Sequence, residues 1–299
     1  MPEIIESREC FTSYMGEYLM WEESLRKALS AIKSGKIVPK AIDQEEERRR
    51  LGIRMMGGSI AVIQIEGFMQ KGFSKFGGTS TVFTRQAIRA AAGDPDVDGI
   101  MLAIDSGGGF VAGTQELANE ITAARNIKSV RAHIDDLGAS AAFWIASATE
   151  LITANEMANI GSIGVVAVLE DTSKAFEMAG IEVHVISTGE HKGSFADGVP
   201  ITDNQIEEVQ ERVDDINAFF LKAVLKGRSI TKAELNKIAD GKVFIAKKAL
   251  ALKLIDKVSS FDDSMQAFDH DLKRTAREAR NSRGRSRARL AVAKAKAQK

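Results

Sequence analysis

The chain has 299 residues, of which 44% are hydrophobic and 27% charged, so it can bury a full core in one large domain or two small ones. Its single cysteine, Cys10, excludes an internal disulfide framework and a cysteine-based zinc site. It contains no apolar run of about 18 residues and no basic-then-apolar leader, so we expect neither a transmembrane helix nor a signal peptide, and we expect a soluble cytoplasmic protein.

The formal charge is zero, but its distribution along the chain is uneven. Residues 271–299 contain eleven Lys and Arg and two acids, a net charge of +9, which leaves residues 1–270 with −9. Strongly apolar residues also become rare after Phe268, which is typical of a segment without its own core. We therefore predict three parts: an N-terminal helical arm at 1–55, a central domain at 56–262 and a basic, disordered tail at 263–299.

Predicted strands and helices alternate along most of the chain. Runs rich in β-branched and other apolar residues predict buried strands at 60–65, 99–104, 130–134, 151–154, 163–168 and 183–187. Amphipathic patterns predict helices at 11–32, 83–92, 114–125, 172–179, 206–225, 231–239 and 244–252. This alternation indicates an α/β fold in which helices connect parallel strands.

Ser140 stands among small residues, in Gly138-Ala139-Ser140-Ala141-Ala142, at the start of an apolar run. Small residues permit a sharp turn from a loop into a helix, which would hold the hydroxyl beside exposed N–H groups. That arrangement suits a nucleophile whose reaction forms an oxyanion. The same pattern is also typical of an ordinary N-cap serine, so this segment alone does not decide between the two.

A glycine run, Gly107-Gly108-Gly109, follows the predicted strand at 99–104. It lacks the glycine spacing of a dinucleotide fingerprint and the Gly-Lys-Ser/Thr ending of a phosphate loop. Consecutive glycines do let a backbone N–H group approach a reacting carbonyl closely. An oxyanion loop is therefore the interpretation that remains.

A nucleophilic serine needs a base, and the downstream candidates are His184, His191 and Lys192. A histidine can act at its ordinary pKa, whereas a lysine has to be buried so that desolvation lowers its pKa toward neutrality. In a predicted loop, a lysine is most simply a solvated surface charge. The residues alone leave His191 and Lys192 as alternatives.

Six blocks together resemble the signal peptide peptidase A (protease IV) family, in the family's order. They are the strand at 99–104, Asp105-Ser106-Gly107-Gly108-Gly109, Gly138-Ala139-Ser140, Gly161-Ser162-Ile163-Gly164, Gly189 to Ser194 with Lys192 inside it, and Gly241-Lys242-Val243-Phe244. The resemblance covers residues 60–258. It implies a crotonase-like, Clp-protease-like fold of stacked ββα units, here with an N-terminal helical arm and C-terminal helical elements.

That family uses a Ser-Lys dyad, so the resemblance implies Ser140 as the nucleophile and Lys192 as the general base, with no metal and no organic cofactor. It implies an oxyanion hole formed by the N–H of Ala141 with that of Gly108 or Gly109.

The resemblance further implies that Ser162 orients the lysine, although a turn serine explains Ser162 equally well. Two positions depart from the family pattern: Gly107 stands where proline is usual, and Ala141-Ala142 where Gly-Gly is usual. These departures concern the rigidity and the shape of the oxyanion hole.

An N-terminal arm and a basic tail are similar to those of the phage capsid-assembly (prohead) proteases. This resemblance implies a serine endopeptidase that forms a homo-oligomeric ring with shared active sites, in the host cytoplasm or inside a prohead. Its substrates would be scaffold or capsid proteins, with its own chain as a further candidate, and it would have no membrane contact. The tail would dock on scaffold or, alternatively, bind nucleic acid without reading sequence.

Three other functions stay open on the sequence. One is a bacterial cytoplasmic peptide-degrading member of the same family. The second is a non-proteolytic crotonase-type enzyme that acts on an acyl thioester. The third is an inactive assembly protein that keeps the fold for oligomerisation.

Overall fold

The computed structural model describes residues 43–72, 77–189 and 191–297, with side chains given as far as residue 281 except at residue 279. The helix predicted at 11–32 and most of the arm predicted at 1–55 lie outside the described residues. The elements below all belong to the unit that begins at Gln44.

Within the described residues, nine strands form one sheet. They are β1 (Arg54–Met56), β2 (Ile60–Gln70), β3 (Thr79–Ser80), β4 (Gly99–Gly109), β5 (Ser129–Ala139), β6 (Leu151–Ala154), β7 (Asn159–Gly161), β8 (Val243–Ile245) and β9 (Lys257–Val258). The main path runs β1-β2-β4-β5-β6-β9, while β3 pairs with β2, and β7 pairs with both β5 and β8. The β1–β2 and β7–β8 pairs are antiparallel and the other pairs are parallel.

The helices fall mainly between the parallel strands and after them. They are α1 (Gln44–Arg50), α2 (Thr81–Gly93), α3 (Thr114–Ala124), α4 (Ala141–Ser147), α5 (Ser173–Met178), α6 (Asp203–Gly227), α7 (Lys232–Asn236), α8 (Ala246–Ala251) and α9 (Phe261–Ala297). Because α2, α3 and α4 connect successive parallel strands, the predicted α/β class is confirmed. In the part of the chain that is described, none of these helices has the length and apolar content that a membrane span requires.

The period-two pattern of β2 shows that the sheet is covered on both faces. Ala61 and Ile63 belong to the main core, which also includes buried residues of α2, α3, α4 and α6. Ile60 and Val62 point the other way, into a second cluster that Phe268 of α9 completes. The sheet is therefore a buried middle layer, as a mostly parallel sheet requires.

The first three turns of α9 belong to this packed body. Met265 and Phe268 are buried, and the ring of Phe268 lies so close to Gly99 that a Cβ atom at Gly99 would sit 2.5 Å from it. The boundary predicted between residues 262 and 263 therefore falls inside a docked helix. The body extends at least to Leu272, which packs against the same cluster.

Residues 44–55, predicted as the end of the arm, are also part of the body. Leu51 and Ile53 are buried in the main core. Arg48 of α1 donates to Asp94 at 2.6 Å and to Asp96 at 2.8 Å, just after α2. The charged helix α1 is thus held on the body by ion pairs, and the residues just after it by apolar contacts.

The strands predicted at 163–168 and 183–187 are not formed. Ile163 is buried in the main core, but several other apolar side chains of these segments are solvent-exposed: Val166 is 82% exposed, Val168 is 79% exposed and Ile186 is 97% exposed. A strand needs a neighbour that pairs with its backbone, and within the described residues these segments pair with none. Only the helix between them, α5, matches its prediction.

Candidate active site

Ser140 lies at the junction where β5 ends and α4 begins. Its backbone adopts φ 52° and ψ −123°, a left-handed conformation that costs a non-glycine residue on the order of 1–3 kcal/mol. Two backbone hydrogen bonds hold it there: its N–H donates to the carbonyl of Gly161 at 2.9 Å, and its carbonyl accepts from the N–H of Trp144 at 2.9 Å. The chain therefore turns sharply at the serine, as the small neighbours predict.

The glycine run lies directly against this serine. Gly108 has φ 95°, and a Cβ atom there would meet the nitrogen of Ala141 and the Cβ of Ser140, each at 2.8 Å. At Gly109 a Cβ atom would lie 1.9 Å from the carbonyl oxygen of Met69. Only glycine fits either position, so the run packs β2, β4 and the Ser140 turn closely together.

The N–H groups around Ser140 differ in their availability. That of Gly108 donates to the hydroxyl of Ser106 at 3.1 Å, and that of Phe110 donates to the carbonyl of Met69 at 2.9 Å. Ala141 is the first residue of α4, so its N–H has no acceptor within the helix.

Ser140 opens onto a cleft of about 560 Å³. Its apolar base is Trp144, whose ring stacks on Phe220 of α6 with the ring centres 4.8 Å apart and the planes 9° apart. One face of α6 forms a wall, with residues spaced three or four apart. The residues of that wall are Gln210, Val213, Asp214 and Asn217.

The opposite side of the cleft comes from the antiparallel β7–β8 pair and the residues around it. Ser162, which is half-buried and has φ 49°, donates its N–H to the carbonyl of Lys242 at 2.7 Å. Asp240 and Gly241 also line the cleft. The Lys242 ammonium donates to Asp240 at 2.5 Å and holds the pKa of that carboxyl below its usual range. Asp240 is therefore ionised at neutral pH, and the adjacent Lys242 ammonium balances its charge.

The candidate bases lie outside the cleft. Lys192 and His191 are exposed, and His191 pairs with Glu208 of α6 at 2.9 Å. Glu208 precedes Phe220 by twelve residues, which is about 18 Å along a helix. His184 is exposed beside Glu182. The structure thus brings Ser140, Ala141, Gly109 and Ser162 to one cleft with Gly108 beside it, and leaves Lys192 apart.

Sequence reasoning missed two features of the site. The first is the α6 wall: the sequence predicts this helix, but three of its four wall residues are polar, and no pattern marks them as lining a cleft. The second is Ser106, because the glycine-rich motif that contains it does not indicate a role for its hydroxyl. Among the described residues, no three His, Cys, Asp or Glu side chains are grouped so that they can hold a metal ion.

Comparison with known proteins relates this arrangement to a family. The chain is 30% identical over 254 residues to the capsid assembly protease C of Escherichia phage lambda, covering 81% of this chain and 55% of that protein. It is 30% identical over 214 residues to protease 4 of Salmonella typhi, covering 70% of this chain and 34% of that protein. The chain thus spans about half of the first relative and a third of the second.

Among solved structures, a point mutant of ClpP1 from Listeria monocytogenes is similar with a TM-score of 0.45 at 11% identity, covering 68% of this chain and 92% of that one. The family model for peptidase family S49 matches residues 122–274, which include the Ser140 turn, the β7–β8 pair and the whole α6 wall. On that match, this chain belongs to peptidase family S49.

Proposed function

We propose that this protein is a serine endopeptidase with Ser140 as the nucleophile and Lys192 as the general base. The observation that carries the proposal is the Ser140 turn: a strained serine at the mouth of a cleft, with a glycine loop packed against it. Strain of this kind occurs at functional sites, where the rest of the fold maintains it. An N-cap serine with a merely structural role would not need it, and Ser140 makes no side-chain cap.

The proposed reaction proceeds through an acyl-enzyme. The neutral amine of Lys192 takes the Ser140 proton as the hydroxyl oxygen attacks the peptide carbonyl, and it then delivers that proton to the leaving amine. The oxyanion accepts from the N–H of Ala141 and from that of Gly109. We prefer Gly109 over Gly108 because Ser106 already occupies the Gly108 N–H. Water then hydrolyses the ester and regenerates both groups.

The proposed dyad forms between subunits of a homo-oligomer. Lys192 is exposed and its segment contacts α6 about 18 Å from the Trp144–Phe220 stack, whereas a lysine side chain spans far less. The segment at 164–189 also exposes Val166, Met178 and Ile186, and large exposed apolar patches mark interaction sites. Packing of this segment on a neighbouring subunit would bury a lysine, which lowers the pKa of a lysine and makes it a competent base.

The proposed biological role is maturation of a phage head, with scaffold or capsid proteins as substrates. The similarity to the lambda capsid assembly protease over 81% of this chain supports that role. The basic segment of residues 271–299 would serve as a contact for scaffold or nucleic acid, since its net charge of +9 contrasts with −9 for the rest.

Cleavage of a denatured protein by the purified chain tests the proposed chemistry. Ser140→Ala and Lys192→Ala should each lower the cleavage rate by at least about 1000-fold while leaving folding unchanged, because the two groups act as a unit. Lys273→Ala is a matched control, since Lys273 is also an exposed lysine but pairs with Asp269 on α9, away from the cleft. It should retain cleavage, as should His191→Ala.

Two results would contradict this assignment. Normal cleavage by Ser140→Ala would show that Ser140 is not the nucleophile. Loss of cleavage in His191→Ala with retention in Lys192→Ala would transfer the role of base to the histidine.

A further inference from the structure

The sheet loses its regular register at one level, beside the glycine run. The β2–β4 pairing shifts between Glu66 and Phe68, and the β4–β5 pairing shifts between Ile104 and Ser106. At such irregularities some backbone groups lose their ladder partners and need others. Ser106 lies at this level in the central strand of the three.

The Ser106 hydroxyl supplies the missing partners. The residue is 1% exposed, and its Oγ donates to the carbonyl of Gly67 at 2.5 Å while accepting from the N–H of Gly108 at 3.1 Å. One hydroxyl donor and one of its acceptor sites are thereby used. The result is a bridge from Gly67 of β2 to the middle of the glycine run.

This bridge fixes the part of the run that touches the nucleophile. Three consecutive glycines have the widest conformational freedom of any tripeptide. Gly108 nevertheless holds φ 95° against Ser140 and Ala141, with its N–H turned toward Ser106 and away from the cleft. The N–H of Phe110, two residues on, is also occupied. Among residues 107–110, Gly109 is the one that lines the cleft, so its N–H is the candidate donor of this loop.

We infer that Ser106 is a positioning residue for the oxyanion loop: its hydroxyl bridge between Gly67 and Gly108 aims the N–H of Gly109 at the developing oxyanion. The inference rests on the proposed function. Ser106 does not touch the substrate, so its contribution is made through Gly109 and appears in the transition state rather than in substrate binding.

Ser106→Ala tests this role in steady-state cleavage of a peptide substrate. We expect kcat to fall about 10- to 100-fold, less than the roughly 100- to 1000-fold typical when a donor is removed outright. KM should stay within about threefold, because the lost interaction acts only in the transition state. A peptide aldehyde that forms a hemiacetal with Ser140 should bind more weakly by the same factor as kcat/KM. Ser106→Thr, which keeps the hydroxyl, should restore most of kcat.

Ser264→Ala is the matched control. Ser264 is also buried and its Oγ also donates to a backbone carbonyl, that of Ser260 at 2.8 Å, but it lies on α9 at the other face of the sheet. It should change stability without changing kcat per active site, where active sites are counted by titration with a phosphonate. That count removes any contribution from unfolded protein.

The outcomes separate this inference from the proposed function. An active wild type with unchanged kcat in Ser106→Ala, or with a change confined to KM, overturns the inference alone. An inactive wild type overturns the proposed function and the inference with it. If Ser106→Ala does not fold, Ser106→Cys decides, because a thiol weakens both hydrogen bonds at nearly constant volume: lowered kcat supports the bridge, and unchanged kcat overturns it.

Discussion

At the residue scale, the geometry of the proposed site requires positions without a Cβ atom. A Cβ atom at Gly109 would collide with the backbone of Met69, at 1.9 Å from its oxygen and 2.6 Å from its nitrogen. A backbone neighbour cannot rotate away as a side chain does. A Cβ atom at Gly107 would meet only the end of the Leu137 side chain, at 3.3 Å. Adjacent glycines therefore have very different tolerance for substitution.

We predict that Gly109→Ala lowers kcat by at least about 100-fold, since β4 must move away from β2 and carries the proposed oxyanion donor with it. Gly107→Ala is the matched control. Its kcat should stay within about threefold of the wild-type value, because Gly107 does not have a positive φ. Kinetics of peptide cleavage at equal active-site concentration measure both. Equal loss in the two variants would contradict the proposed loop geometry.

The sequence predicts the Ser140 turn because the small residues Gly138 and Ala139 permit a sharp bend before an apolar helix. It does not predict the role of Ser106, because that role depends on register shifts in β2–β4 and β4–β5, which are set by long-range pairing. For the same reason the sequence left Gly108 and Gly109 as equal candidates. The hydrogen bond from Gly108 to Ser106 is what separates them.

At the element scale, α9 is held on the sheet by one aromatic side chain and its partners. Phe268 is fully buried, the guanidinium of Arg131 lies 4.4 Å from the centre of its ring, and Arg131 also pairs with Asp271 at 2.8 Å. The pairing holds the pKa of the Asp271 carboxyl below its usual range. Docking of α9 thus combines apolar burial with a cation–π contact and an ion pair.

Phe268→Ala should lower the free energy of unfolding by about 3–5 kcal/mol, the usual cost of removing a buried aromatic ring. Chemical denaturation of the wild type and the variant at the same protein concentration measures the change. Phe219→Ala, on an exposed part of α6, is the matched control and should change stability by less than about 1 kcal/mol. A small effect at Phe268 would mean that α9 does not complete the second core.

A buried histidine lies under the start of α9. His133 is fully buried, with Nδ1 at 2.8 Å from Thr153 Oγ1 and at 3.2 Å from Ser264 Oγ, and Nε2 at 3.3 Å from Asn155 Oδ1. Burial lowers the pKa of His133 below its ordinary value of 6.5. The facing Asp135, at 3.4 Å from Nε2, has a raised pKa because it is partly buried and lies near Asp105 and Asp136.

Stability should therefore fall as the pH is lowered from 7 to 5. The unfolded chain takes up a proton at His133 near pH 6.5 while the folded chain resists it, so acid favours unfolding. The raised pKa of Asp135 has the opposite effect on stability, because the folded chain takes up that proton more readily than the unfolded chain. This effect appears only at lower pH, where a carboxyl group titrates. Thermal melts of His133→Gln should show a flatter slope between pH 7 and 5, whereas His270→Gln, at an exposed histidine of α9, should keep the wild-type slope. Equal slopes in all three proteins would contradict this account.

The helices and buried strands of the body follow from local patterns, since periodicity alone predicts β2, β4, β5 and α6. The segments at 163–168 and 183–187 show the limit of that reasoning. Their β-branched residues favour strands, but a strand forms only when another strand pairs with it. The sequence does not predict the short strands β7, β8 and β9. Each has only two or three residues, too few for a periodic pattern, and forms because another strand pairs with it.

At the scale of the whole molecule, the proposed Ser140-Lys192 dyad requires one subunit to complete the active site of another. The serine and the lysine would then reside on different chains, so two inactive variants should complement each other. Random mixing of Ser140→Ala with Lys192→Ala subunits should restore about one quarter of the wild-type activity, because each site needs the intact residue from each of two chains. A dyad within one chain gives no recovery.

Native mass spectrometry after mixing shows whether subunits have exchanged. Mixed oligomers without any activity would contradict the shared site. Two copies of the same variant, mixed in the same way, are the control and should stay inactive.

The most direct test of the central claim is the rate and the position of acylation by a fluorophosphonate between pH 5 and 11. If Ser140 and Lys192 form the dyad, the label should map to Ser140 alone, and the labelling rate should rise with pH with a midpoint between about 7 and 9, below the pKa near 10.4 of an ordinary lysine. His191→Ala should leave that midpoint in place. The account is contradicted by label on another residue, by no label on the assembled protein, or by a midpoint near about 6.5 that disappears in His191→Ala.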